Sequence, residues 1–133
     1  MRVLLDTHVW VWTQEQPERL GPRTRSLLLG AEHETSVCPI STLEIARLVA
    51  TGAIRLSVPL EEWVALSMSG LFAHTVSISH EVAVDAYALP GSFHRDPADR
   101  LLVAAARRNA STLVTADDRI LAYPHVHAQD ARR

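Results

Sequence analysis

The chain contains no lysine: all 13 of its Lys+Arg residues are arginine. It also has a single cysteine, and only 3 Trp, 2 Tyr and 2 Phe. One cysteine excludes an internal disulfide, and Cys38 lies in the apolar stretch TSVCPI, where an inert buried thiol is expected rather than a nucleophile. The tryptophans are too few and sit in too apolar a context for a base-stacking platform, so Trp10 and Trp12 are expected in a core or at a partner interface. No apolar run approaches the roughly 20 residues that span a bilayer. The opening MRVLLDTHVW is interrupted by Asp6 and His8, unlike a signal peptide, which points to a cytoplasmic protein with no membrane association. The seven histidines form no H-x-x-x-H pair and no Cys/His cluster, so surface positions are expected rather than a zinc site. Repeats, low-complexity tracts and linkers are absent too, and residues 1–133 read as one domain.

What is present is a globular composition, 47% hydrophobic and 21% charged, with a net charge of −2. That balance does not announce a nucleic-acid binder, but metal ions would offset several of the acids. Every cation here carries the planar fork that suits phosphate. Arg95, Arg100, Arg107 and Arg108 form one group, and Arg19, Arg23 and Arg25 another; each could equally be a solvated helix face.

Short apolar runs alternate with helical patterns. Strands are expected at Arg2–Leu5, Thr35–Cys38, Thr75–Ile78 and Thr112–Thr115, with a last edge strand near Val126 and a frayed tail over Gln129–Arg133. Between them, helices are expected to start at Asp6 or Thr7, and over Pro22–His33 with Leu27, Leu28 and Leu29 as the buried face. Further helices follow from Ser41 to about Thr51, from Pro59 to about Leu71, from Ser79 to about Leu89, and from Asp96 to about Asn109. Strands alternating with helices predict an α/β fold with a mainly parallel sheet covered on both faces. In such sheets the ligand crevice lies beyond the carboxyl ends of the strands.

Four acids fall at that end: Asp6, Glu44, Asp99 and Asp117. Each also has a plainer reading. Asp6 could cap the following helix. Ser41-Thr42-Leu43-Glu44 matches a capping box. Asp99 favours the helix dipole, with Asp96 as the cap. Asp117 and Asp118 could mark a turn, and nothing in the residues says which points inward. Together, however, clustered carboxylates suit a hard cation such as Mg²⁺ or Mn²⁺. Asp6 and Asp99 are expected as direct ligands, with Glu44 and Asp117 holding water or a second ion. Thr115 and Thr7 could support them, and Arg95 and Arg100 at the rim could guide a phosphate backbone.

Four segments resemble motifs of PIN-domain proteins of the VapC toxin type. They are Leu4-Leu5-Asp6-Thr7-His8 with Trp12; Ser41-Thr42-Leu43-Glu44-Ile45-Ala46; His94-Arg95-Asp96-Pro97-Ala98-Asp99-Arg100-Leu101-Leu102; and Leu113-Val114-Thr115-Ala116-Asp117 with Tyr123-Pro124. The resemblance spans nearly the whole chain, and its departures at Leu43, Ala98 and Ala105 leave every acid in place. It implies a three-layer α/β/α sandwich and a Mg²⁺- or Mn²⁺-dependent endoribonuclease with Asp6, Glu44, Asp99 and Asp117 as its acidic site, supported by Thr115 and Asp96. It also implies a homodimeric toxin held inactive by a cognate antitoxin in a larger complex, with DNA contacted only through the antitoxin. Two rivals stand beside this. A metal phosphatase often carries a second aspartate two residues after its nucleophile, where this chain has His8. A non-catalytic RNA- or protein-binding domain would use the acids only as caps.

Overall fold

In the computed structural model, which describes residues 1–133, five strands form one parallel sheet. β1 (Arg2–Leu5), β2 (Glu34–Val37), β3 (His74–Thr75), β4 (Thr112–Thr115) and β5 (Ala128–Asp130) lie in the order β3-β2-β1-β4-β5. The chain starts in the centre, builds outward through β2 and β3, then crosses back to β4 and β5. The strand order therefore reverses between β1 and β4, and a crevice opens above their carboxyl ends.

Seven α-helices cover the sheet: α1 (Thr7–Glu15), α2 (Pro22–Leu29), α3 (Pro39–Ala50), α4 (Leu60–Leu71), α5 (His80–Asp85), α6 (Pro97–Arg108) and α7 (Asp118–Leu121). Because strand side chains alternate between faces, β1 feeds two cores. Leu4 and Leu113 pack with Leu102, Val103 and Ala106 of α6, Val82 of α5 and Ile120 of α7. Val3, Leu5 and Val114 pack on the other face with Val9 and Trp10 of α1, Ile45 of α3 and Trp63 of α4. This is the expected three-layer α/β/α arrangement. Cys38 is fully buried in the first core, and burial raises its thiol pKa, in keeping with an inert role. No helix is long and apolar enough to cross a membrane.

Several expected boundaries move. The Pro22–His33 helix stops at Leu29, whose side chain is 86% exposed, so Leu27 and Leu28 alone turn inward. β3 is two residues, His74–Thr75, rather than Thr75–Ile78, and α5 ends at Asp85. The C-terminal tail is not frayed. Gln129 and Asp130 pair with Val114 and Thr115 in β5, and Ala131 is fully buried. Gly21 N–H donates to the Ala131 carbonyl and Thr24 N–H to that of Arg133, both at 2.9 Å. A Cβ at Gly21 would lie 2.2 Å from the backbone of Arg133, so only glycine admits this close approach.

The candidate active site

Asp6 ends β1 and caps α1, its Oδ1 accepting from Thr7 N–H at 2.7 Å. Its Oδ2 accepts from the Thr115 hydroxyl at 2.6 Å, across the gap between β1 and β4. Thr115 Oγ1 in turn accepts from Asp117 N–H, which sets the turn that aims Asp117 into the crevice. The neighbouring Asp118 points away, 86% exposed and paired with Arg132. Asp96 caps α6 by accepting from Ala98 and Asp99 N–H, and this leaves the Asp99 carboxylate free of capping duty.

Glu44 is not part of a capping box. α3 begins at Pro39 with Cys38 as its N-cap, so Ser41 and Glu44 lie inside the helix. Proline tolerates the first helical position, which starts α3 before Ser41. The Thr7 hydroxyl instead lies 2.6 Å from Glu44 Oε1 and 2.9 Å from Ser41 Oγ. A carboxylate only accepts, so Thr7 gives its proton to Glu44.

These side chains line one cleft of about 530 Å³: Asp6, Thr7, Glu44, Asp96, Asp99 and Asp117, with His8, Trp12, Arg19, Arg47, Ala116, Arg119 and Arg132. The two arginines expected at its rim are not among them. Arg100 donates to the carbonyls of His94, Ala86 and Phe93 at 2.9–3.0 Å, so its guanidinium is consumed in holding the loop before α6. Arg95 is exposed outside the cleft. Trp10 is fully buried against Trp63, whereas Trp12 lines the cleft beneath the Arg19 guanidinium, 4.7 Å from the ring centre. Sequence reasoning missed His94. Its Nε2 lies 3.0 Å from Asp99 Oδ2, and His94, Asp99 and Asp117 present donor atoms within 4.8 Å of one another. His94 opens the third segment that resembles the PIN-domain motifs, but it lies on a loop with no helical or strand periodicity, and the sequence alone predicts a surface position for it as for the other histidines.

The PIN domain family model matches residues 3–126. Ribonuclease VapC22 of Mycobacterium tuberculosis is 39% identical over 123 residues, covering 92% of both chains. The chain belongs to the PIN-domain family, VapC type. Among solved structures, the VapBC2 complex of Rickettsia felis bound to a promoter DNA fragment contains a chain that superposes with a TM-score of 0.73 at 16% identity, over 97% of this chain and 98% of that one. VapBC-1 of nontypeable Haemophilus influenzae gives 0.67 at 14% identity over the whole of both chains. These two likenesses concern the fold.

The electrostatics of this PIN domain favour a cation. The Asp99 carboxyl is pushed up to about 7, first by burial and then by the like charges of Asp6, Asp96, Asp117 and Glu44. Burial also raises Asp6, against the hydrogen bonds from Thr115 and Thr7, and raises Glu44, against that from Thr7. For Asp117 burial acts upward too, but the side-chain and backbone hydrogen bonds from Arg119 prevail and lower it. His94 is lowered by burial and by Arg119. Its buried Nε2 is not aligned to donate to Asp99 and has no hydrogen-bond partner. Clustered carboxylates with one orphaned imidazole nitrogen make a donor set that can hold a divalent metal ion.

The raised Asp99 makes a stability prediction for protein kept in EDTA. Its folded pKa of about 7 stands above the ordinary 3.8, so the native state holds a proton that the unfolded chain releases. The resulting stability is full below about pH 4 and is lost as pH rises towards 7. His94, shifted the other way, opposes this. The difference between the parent and Asp99→Asn isolates Asp99. The parent's melting temperature should fall relative to the variant's between pH 5 and pH 8 in a thermal-shift series. Parallel profiles would mean that Asp99 ionises normally.

Proposed function

We propose that this chain is the toxin of a type II toxin–antitoxin pair and acts as a divalent-metal-dependent endoribonuclease. The observation that carries the reading is the burial of Asp99 among four separate carboxylates, which together push it up to about 7. The 39%-identical relative that bears the name ribonuclease supports the same class. Asp6, Asp99 and Asp117 would hold Mg²⁺ or Mn²⁺, with Glu44 beside them and His94 as a nitrogen donor. Such an ion, when bound, activates water and stabilises the charge that develops on a transferring phosphoryl group.

The chain's own residues do the rest. Thr115 and Thr7 N–H fix both oxygens of Asp6, and Thr7 fixes Glu44, so these carboxylates meet the reaction in one orientation. Asp96 orients the start of α6, and with it Asp99. Arg19, Arg47, Arg119 and Arg132 surround the acids and suit the phosphates of an RNA backbone. They take the place that the sequence suggested for Arg95 and Arg100. Partners follow the same reading: an RNA substrate, a cognate antitoxin covering the acidic cleft, and a homodimer within a larger complex that meets DNA through the antitoxin. Structural neighbours described as a toxin–antitoxin complex, as a member of a toxin–antitoxin family and as bound to promoter DNA support that assignment.

The test is metal-dependent cleavage. Purified protein is expected to cut single-stranded RNA in Mg²⁺ or Mn²⁺, to stop in excess EDTA, and to recover when Mn²⁺ is returned. Undiminished cleavage in EDTA, or none in either metal, overturns the reading.

A further inference from the structure

Arg119 occupies an unusual place for a cleft arginine. It follows Asp117 by two residues at the start of α7, and its side chain turns back over the acids. Nε and the guanidinium NH₂ reach Asp117 Oδ1 at 3.3 Å and Oδ2 at 3.0 Å. The same NH₂ lies 3.9 Å from Asp99 Oδ2. These are the two carboxylates that form the compact donor group with His94. Arg132 lies in the same cleft but spends its charge elsewhere, on Asp118 and Asp130.

We propose that Arg119 is the resident counter-ion of the acid cleft and competes directly with the divalent metal for Asp117 and Asp99. The inference rests on the proposed metal-dependent nuclease. A guanidinium bridging both carboxylates offsets their repulsion while no metal is present. Arg119 already occupies both oxygens of Asp117, so a metal held through Asp117 and Asp99 would compete with it for the same acceptors and displace it. The expelled side chain is already 62% exposed, so it swings into water at little steric cost. Arg119 therefore sets the metal concentration at which the site loads, a role beyond facing the RNA backbone.

Isothermal titration with MnCl₂ alone, without RNA, tests this on the parent, Arg119→Gln, Arg119→Lys and Arg132→Gln. Removing either arginine deletes one positive charge from the cleft lining, but Arg119 stands 3.0 Å from Asp117 and 3.9 Å from Asp99 whereas Arg132 pairs with Asp118 and Asp130, so the charge-keeping Arg119→Lys is the control for a field effect. Direct competition acts only at position 119. Arg119→Gln is expected to bind Mn²⁺ about fivefold more tightly than Arg132→Gln, the scale of a half-exposed ion pair lost on loading. Arg119→Lys is expected between the parent and Arg119→Gln, because an ammonium keeps the charge but cannot form the bidentate bridge. Equal affinities for Arg119→Gln and Arg132→Gln, or an Arg119→Lys that binds Mn²⁺ as the parent does, overturn the competition alone. Failure of every protein, parent included, to take up Mn²⁺ overturns both the competition and the metal-dependent function.

Discussion

Asp99→Asn is expected to abolish RNA cleavage, by at least about a hundredfold, or ~2.7 kcal/mol of barrier at 1.36 kcal/mol per decade, while the protein stays folded. Asp99 is 9% exposed, yet its fold-holding work is done by others: Asp96 caps α6, and Leu102, Val103 and Ala106 anchor the helix in the core. Asparagine has nearly the same shape and no charge. It removes the carboxylate on which the other four converge, so the metal-free variant should melt higher than the parent at pH 8. A site that has lost its central ligand should also lose the Mn²⁺-induced rise in melting temperature. In the parent that rise reflects mass action, about 2.7 kcal/mol at a hundredfold excess over Kd. Three measurements therefore move together: cleavage disappears, metal-free stability rises, and the Mn²⁺ shift vanishes. A variant that cuts RNA as fast as the parent shows the site to be misassigned. Loss of cleavage with a lowered metal-free melting temperature would point to damaged structure instead of lost chemistry.

Trp10→Ala should cause the largest loss of stability, ~3–5 kcal/mol, out of a total of about 5–15 kcal/mol for a domain of this kind. Trp10 is fully buried on α1, its ring centre 5.2 Å from that of Trp63 on α4. Its indole N–H donates to Ser67 Oγ at 2.9 Å. Alanine would leave a large void between α1, α4 and the sheet and strip Ser67 of that donor. Trp10→Phe refills much of the void but lacks the N–H, so it should fall between parent and alanine. Urea denaturation of the three proteins checks the order. An alanine variant within about 1 kcal/mol of the parent would mean that α1 and α4 collapse onto each other without the indole. The effect reaches function as well, because α1 begins at the Asp6 cap, and a shifted α1 would carry Asp6 and Thr7 away from Thr115 and Glu44.

How much of this was written in the residues depends on how local each signal is. Asp6 was legible because an apolar strand ending in a carboxylate and followed by a helix leaves little choice of topology. Asp99 was legible because Asp96 already satisfied the cap. Glu44 illustrates a misleading local match. The S-x-x-E pattern was real, but Pro39 two residues earlier starts the helix first, and the partner of Glu44 is Thr7, 37 residues away. Arg100 could not be placed from the sequence, since arginines at a rim and arginines tying down a loop have the same neighbours in the chain. The carbonyls it binds belong to an irregular segment with no pattern to read. The tail was lost for a similar reason. Ala131 stands between charged residues and carries no hydrophobic pattern, yet it joins the core with Leu5, Leu20 and Val114, while Gly21 and Thr24 hold the tail's carbonyls.

The bond between Asp6 and Thr115 joins residues 109 apart, which has a consequence in time. Synthesis proceeds at about 5–20 residues per second, so Asp6 leaves the ribosome several seconds before the strand that holds it in place. Until β4 emerges, β1 lacks its neighbour on one side, and the cleft has neither Thr115 nor Asp117. Contacts so distant in sequence also form late for reasons of chain entropy. A nascent chain can thus assemble β1, β2 and their helices while the acid cleft does not yet exist. For a chain proposed to cut RNA, activity begins only after β4 and the turn that carries Asp117 have been made.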